Sequence, residues 1–265
     1  MDATTYLPGA DKNEPPTAQS DAYKKEYTDF IDLAAHELDA PLRKLSSFVE
    51  ILTGKFKIIS SDNEVQQYVH RIENCVDDMR SLVRDLTLFS RIISDKKEYS
   101  SFNLETVVQQ VLHDMQPMIA ESGTVITLTD LPVMEGDIQQ YAQLFKNIIG
   151  NAIKFRKKNI VPEIRVSVSS ISGEEKFLPD LADKEKYFKI EISDNGIGFK
   201  QEYAEKILLP FVRLHGKHQY SGSGLGLAVC KKIIDSHHGF FYAESIENSG
   251  SCFVLILPQT IGRSC

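Results

Sequence analysis

No apolar run in this 265-residue chain approaches the ~20 residues a helix needs to cross a bilayer, and the N-terminus lacks a basic-then-apolar signal pattern. Basic charge is short too. Thirty Lys and Arg stand against 37 Asp and Glu, a formal charge of -7. That leaves no electrostatic footprint for nucleic acid as the main partner, and like-charge repulsion disfavours an anionic membrane surface. Cysteine is sparse: Cys75, Cys230, Cys252 and Cys265 lie far apart with no CxxC pair. Such scatter reads as small buried hydrophobes in a reducing compartment, so a cytosolic protein is expected. What remains, 42% hydrophobic and 25% charged residues, is the composition of an ordinary globular chain with one or two cores.

The first half is helical in rhythm. Apolar residues recur at Ile31, Ala35, Leu38, Leu42, Leu45, Val49, Leu52, Phe56 and Ile59, in alternating steps of three and four. That spacing predicts one seam along a helix from about Asp21 to about Ile59. His36 falls one residue off the seam, with Glu37 beside it, and Pro41 predicts a bend just below. Ser61 and Glu64 have the form of a capping box opening a second helix. Its seam is Val65, Tyr68, Ile72, Cys75, Met79, Leu82, Leu86, Phe89 and Ile93. Two matched helices joined by a short turn predict an antiparallel hairpin. Apolar residues beside the seams (Phe30, Leu33, Phe48, Val69, Val76, Val83) call for a second copy, hence a homodimeric four-helix bundle.

Residues 1–20 mix Pro, Gly and polar types without periodicity and read as a disordered segment or a linker. Ser94 to Ser101 turns polar, which divides the chain into a 21–95 hairpin and a 96–265 domain. Beyond it, helices are expected at Leu104 to Ala120, Ile138 to Lys157 and Leu225 to His237. Strands are expected at Thr124 to Leu128, Ile164 to Val168, Tyr187 to Ile192, Phe240 to Ala243 and Cys252 to Leu257. The fold class is α+β in two domains, the second a sheet with helices on one face. Ser170 to Lys186 reads as a long solvated loop.

Three groups in the second domain carry chemistry. In Asn147 to Phe155, NIIGNAIKF, helical spacing puts Asn147, Asn151 and Lys154 on one face flanked by Phe155. That face is either simply solvated or a Mg²⁺-phosphate site. Asp194-Asn195-Gly196-Ile197-Gly198 ends a strand; alone it is more often a turn, but its carboxylate suits an exocyclic amine such as adenine's. Gly222-Ser223-Gly224-Leu225-Gly226 opens a helix, either as a flexible loop or as backbone N–H groups presented to an anion. The chain has no GxxxxGK[ST] loop and neither HRD nor DFG, which excludes P-loop and eukaryotic protein-kinase chemistry.

Taken in order, these pieces resemble the bacterial two-component sensor histidine kinases, in their phytochrome-like subgroup. HELDAPLRKL is similar to the phospho-acceptor box, NIIGNAIKF to the asparagine box and DNGIGF to the first glycine box. LLPFVRLH resembles the phenylalanine box and GSGLGLAVCKKI the second glycine box; the likeness covers about residues 21–258. The resemblance implies a dimerisation and phospho-acceptor hairpin followed by an ATP-binding α/β sandwich. It implies His36 as phospho-acceptor with Glu37 as its partner, Asn151 as Mg²⁺ ligand supported by Asn147, Lys154 on the phosphates and Phe155 near the adenine. Asp194 would read the adenine amine beside Gly196 and Gly198. About Leu209 to Ser221 would form a lid with Arg213 as a γ-phosphate contact, and Gly222, Gly224, Leu225 and Gly226 would border the phosphates.

The implied function is ATP-dependent autophosphorylation of His36 and onward transfer to an aspartate in the receiver domain of a response regulator. Two other readings are a nucleotide-binding scaffold without phosphotransfer and a different ATPase of the same fold. Many family members carry Thr or Asn four residues after the phospho-acceptor; Ala40 stands there instead, which predicts weak phosphatase activity. His70, His113, His215, His218, His237 and His238 are expected on surfaces or loops. With no room expected for a sensor before Asp21 or a receiver after Leu257, either a signal from an upstream protein in trans or a longer parent chain is implied.

Overall fold

The computed structural model describes residues 34, 38–39, 41–52, 62–94, 99–171, 186–214 and 222–260. His36, Glu37, Ala40, the 1–20 segment, Ser61 of the capping box, most of the 170–186 stretch and residues 215–221 lie outside them. Two compact units divide the chain, Met1–Cys75 and Val76–Cys265.

In the first unit, α1 (41–52) meets the start of α2 (Asp62–Ser94). The rings of Phe48 and Tyr68 pack at 6.3 Å between centroids, and the Arg71 guanidinium lies 5.6 Å from the Tyr68 centroid and 6.0 Å from that of Phe48. The half-buried stripe of α1 runs through Pro41, Leu45, Phe48, Ile51 and Leu52. Leu42 and Val49, expected on the seam, are 47% and 44% exposed instead, because in one chain the α2 contact covers only the side that Phe48 faces.

In the second unit, five strands form a sheet in the order β2-β4-β5-β7-β6. They are β2 (Val125–Leu128), β4 (Glu163–Ile171), β5 (Tyr187–Asp194), β6 (Phe240–Ile246) and β7 (Gly250–Pro258). Among the described strands of this sheet only β2 and β4 run parallel; the other pairs are antiparallel. Strand periodicity puts Val166, Ile190, Ile192, Phe253, Leu255 and Leu257 on one face, where α5 (Ile138–Lys154) and α6 (Gly226–Ser236) pack side by side. The other face carries Arg165, Lys189, Glu191, Tyr242 and Glu244 around a small cluster of Ile171, Tyr187, Val254 and Ile256.

α5 forms because Tyr141, Leu144, Phe145, Ile148, Ile149, Ala152 and Ile153 repeat at helical spacing into the core, and because Asp137 caps it by accepting from the N–H groups of Gln139 and Gln140. Two short strands were not expected from the sequence: β1 (Ser100–Asn103) and β3 (Val133–Gly136) pair as an antiparallel ribbon. The single helix expected over 104–120 is two, α3 (Leu104–Asp114) and α4 (Gln116–Ser122), because Pro117 cannot donate to the carbonyl of His113. His237 corrects another expectation. It is fully buried at the end of α6, where Nε2 accepts from the Asp137 N–H at 3.2 Å and Nδ1 lies 2.8 Å from the Ile233 carbonyl oxygen. A donor facing Nε2 puts the ring proton on Nδ1, so the imidazole pins α6 to the start of α5.

Candidate functional site

A cavity of about 250 Å³ opens where β5 ends and β7 begins, beneath the last turns of α5. Its wall gathers Asn147, Asn151 and Lys154 from α5 with Phe155 at its C-cap, Asp194 at the end of β5 and Gly198 in the bend beyond. Arg213 and the glycines 222, 224 and 226 complete it, with Ser251 and Phe253 of β7 beneath. Ten of the expected site residues thus meet around one space. Gly196 and Leu225 stand behind the wall, and His36 and Glu37 lie outside the described residues.

The register builds the floor. Asp194 pairs with Ser251 and Ile192 with Phe253, so a carboxylate and a ring are delivered side by side onto the helix-covered face. The Gly196 N–H donates to Asp194 Oδ1 at 2.8 Å. Burial pushes the Asp194 carboxyl above the usual carboxylate range, while the backbone groups of Gly196 and Ser251 pull it back. Asn195 holds the bend in place: Oδ1 accepts from the Glu163 N–H at 3.0 Å and Nδ2 donates to the Val161 carbonyl at 2.9 Å. Gly198 has φ +60°, and a Cβ there would lie 2.2 Å from the Ile246 carbonyl oxygen, so only glycine fits.

On the helix side, Asn147 is fully engaged. Its Oδ1 accepts from Gln143 Nε2 at 2.7 Å and its Nδ2 donates to the Gly226 carbonyl at 3.0 Å. It fastens α5 to the glycine turn. Lys154 Nζ lies 4.6 Å from the Phe155 ring centroid, and a Cβ on Gly222 (φ +134°) would sit 2.9 Å from that nitrogen. Burial first, then the Arg213 guanidinium, push the Lys154 ammonium below the usual lysine range. A half-buried cation that another cation disfavours is complementary to an anionic ligand. Asn151 adds a neutral carboxamide oxygen to the same wall. Among the described residues no three His, Cys, Asp or Glu side chains gather to hold a metal by themselves. A donor set of one amide oxygen fits Mg²⁺ that arrives on phosphates and keeps several waters.

The glycine turn is braced from two sides. The Phe211 N–H donates to the Gly224 carbonyl at 3.0 Å, with Phe211 itself at φ 64°, and this latch brings Val212 and Arg213 to the cavity rim. The Leu225 N–H donates to Ser223 Oγ at 3.1 Å, while the Leu225 side chain is wholly buried. The Ser223 hydroxyl also donates to Asp85 Oδ2. Asp85, on α2, is a wall residue that sequence reading missed, because it interrupts no motif and sits off the α2 seam.

Two family models match the chain. The "His Kinase A (phospho-acceptor) domain" covers residues 26–95, and the "Histidine kinase-, DNA gyrase B-, and HSP90-like ATPase" covers residues 136–261. Cyanobacterial phytochrome A of Nostoc sp. (strain PCC 7120) is 30% identical over 88% of this chain and 28% of its own length. Phytochrome-like protein Cph1 of Synechocystis sp. (strain PCC 6803) is 30% identical over 86% of this chain and 29% of its own length. The chain therefore spans less than a third of either relative. Acinetobacter baumannii histidine kinase AdeS has a similar structure, with a TM-score of 0.60 at 21% identity over 84% of this chain and 98% of that one. Histidine kinase ThkA in complex with response regulator protein TrrA gives 0.67 at 19% identity, over 96% of this chain and 69% of that one. At these identities the likeness to the solved structures is one of fold.

Proposed function

Because this chain belongs to the sensor histidine kinases as a transmitter module, we propose that it moves the γ-phosphoryl group of ATP onto its own His36 and then to an aspartate of a response regulator. The observation that carries this reading is the meeting of Asn151, Lys154, Asp194 and Arg213 with a glycine turn around one cavity. Each matches one part of a nucleotide. Asp194 accepts from the adenine amine, with Phe155 against the base. Lys154 and Arg213 neutralise the phosphates, and Asn147 holds the glycine turn that borders them. Asn151 would hold Mg²⁺, which when bound draws charge from the γ-phosphoryl oxygens.

Neutral imidazole is nucleophilic near pH 7 and needs one free ring nitrogen. As that nitrogen bonds to phosphorus, the bond from phosphorus to the β,γ-bridging oxygen breaks, and ADP leaves with its electron pair. Glu37 holds the other ring N–H and stabilises the positive charge that develops on the ring. Positioning supplies up to ~7–11 kcal/mol of the barrier reduction. The division of labour is residues 21–95 for the phospho-acceptor and 96–265 for ATP, a split that the family-model spans 26–95 and 136–261 support. A homodimer is part of the reading, supported by Val69 and Val83, 42% and 50% exposed on α2. An upstream sensor is expected to act on it.

Incubation with [γ-³²P]ATP tests the proposal. Acid-labile, alkali-stable label that is absent from His36→Gln is the expected result. Label that survives in His36→Gln would overturn the assignment, as would steady ATP hydrolysis with no self-labelling.

A further inference from the structure

The nucleotide cavity is not built from the ATPase region alone. Asp85, from the C-terminal half of α2, reaches its wall and takes a hydrogen bond from the Ser223 hydroxyl, midway along the glycine turn. Ser223 is itself 7% exposed and braces the turn from within by accepting from the Leu225 N–H. One hydroxyl therefore links a hairpin carboxylate to the segment expected to border the phosphates. Burial opposes the charge on Asp85, and the Ser223 hydroxyl and then the Arg84 guanidinium offset only part of that cost. A polyphosphate entering the same cavity brings several negative charges towards this carboxylate, and like charges at short range in a partly desolvated wall repel.

We propose that the Asp85–Ser223 contact is a latch that ties the glycine turn to α2 and opposes nucleotide entry until it opens. This rests on the nucleotide reading above and adds to it a coupling between the C-terminal half of α2 and the pocket. The coupling is reciprocal: by whatever factor the closed latch weakens nucleotide binding, bound nucleotide weakens the latch. A displacement of this part of α2 that withdraws Asp85 would then raise affinity at the pocket, which gives the C-terminal half of α2 a direct hold on the ATP step.

Calorimetric titration of Mg·ADP into the full chain and its Asp85→Ala and Asp85→Asn variants tests this. Both variants are expected to bind about three- to tenfold tighter than the native chain, the equivalent of one ordinary hydrogen bond. Asp85→Asn keeps the side-chain shape, so the test survives if the alanine variant folds poorly. Hydrogen exchange gives an independent readout: saturating Mg·ADP should speed exchange in α2 peptides spanning 82–92 of the native chain and change little there in Asp85→Asn. Unchanged affinity in both variants would overturn the latch alone. Weaker binding in both would also overturn it, by making Asp85 a nucleotide-holding group. A native chain that binds no Mg·ADP would bring down the latch and the nucleotide reading together.

Discussion

Two side chains in the ATPase region are held at a cost to stability, and each gives a measurable consequence. Asp194 is a carboxylate that burial pushes above its ordinary range, so the native state holds its proton more tightly than the unfolded chain does. Stability contributed by this group therefore grows as pH falls from the folded value towards 3.8 and is lost as pH rises through the folded value. Asp194→Asn is expected to melt higher, by about 1 kcal/mol, while losing nucleotide binding; a variant that melts lower and still binds would contradict both halves. Tyr141 is the second case. Among the described residues its hydroxyl is the buried side-chain polar atom without a hydrogen-bond partner. Tyr141→Phe removes an unsatisfied group and keeps the ring against Phe102 and His237, so a gain of about 1 kcal/mol in denaturant unfolding is expected. Neither cost could be read from sequence, because each depends on what surrounds the side chain. The identities themselves were legible: Asn147, Asn151, Lys154 and Asp194 sit in motifs whose spacing survives without coordinates. His237 was misjudged because a His-His pair at a helix end looks polar, and only the Asp137 N–H, 100 residues earlier, explains its burial.

At the level of elements, what was legible tracks how many core residues each contributes. α5 places seven residues in the core and β7 most of its length, and both were foreseen within a few residues. β1 and β3 bury one and two residues in four, too few to impose a period of two on a polar stretch. The parallel pairing of β2 with β4 is likewise a choice of neighbours that no local pattern encodes. The bend after β5 allows a sharp test. Gly198→Ala would drive a methyl into the Ile246 carbonyl at a positive φ, so a loss of about 2 kcal/mol or more is expected. Asp137→Ala should cost about 1 kcal/mol by freeing two N–H groups at the start of α5. An unchanged midpoint in chemical denaturation for either variant would contradict the corresponding local account.

For the whole molecule, no described helix is long and apolar enough to cross a membrane. The apolar side chains exposed on α1 and α2, Leu42, Val69 and Val83, suit the second copy proposed above. Sedimentation is expected to give a dimer at micromolar concentration, and a stable monomer would count decisively against the bundle. Burial pushes the Cys230 thiol up to about 12, so thiol reagents should leave it untouched in the native state and reach it only on unfolding.

Strand β7 supplies two wall residues of the cavity, Ser251 and Phe253, and locks in beside β5 through eight paired positions. A ribosome making this chain will have released the amides and ammonium of α5 some hundred residues before that strand emerges. Through that interval the growing polypeptide lacks the two side chains that floor the cavity. The cavity is completed late, with the docking of a single strand.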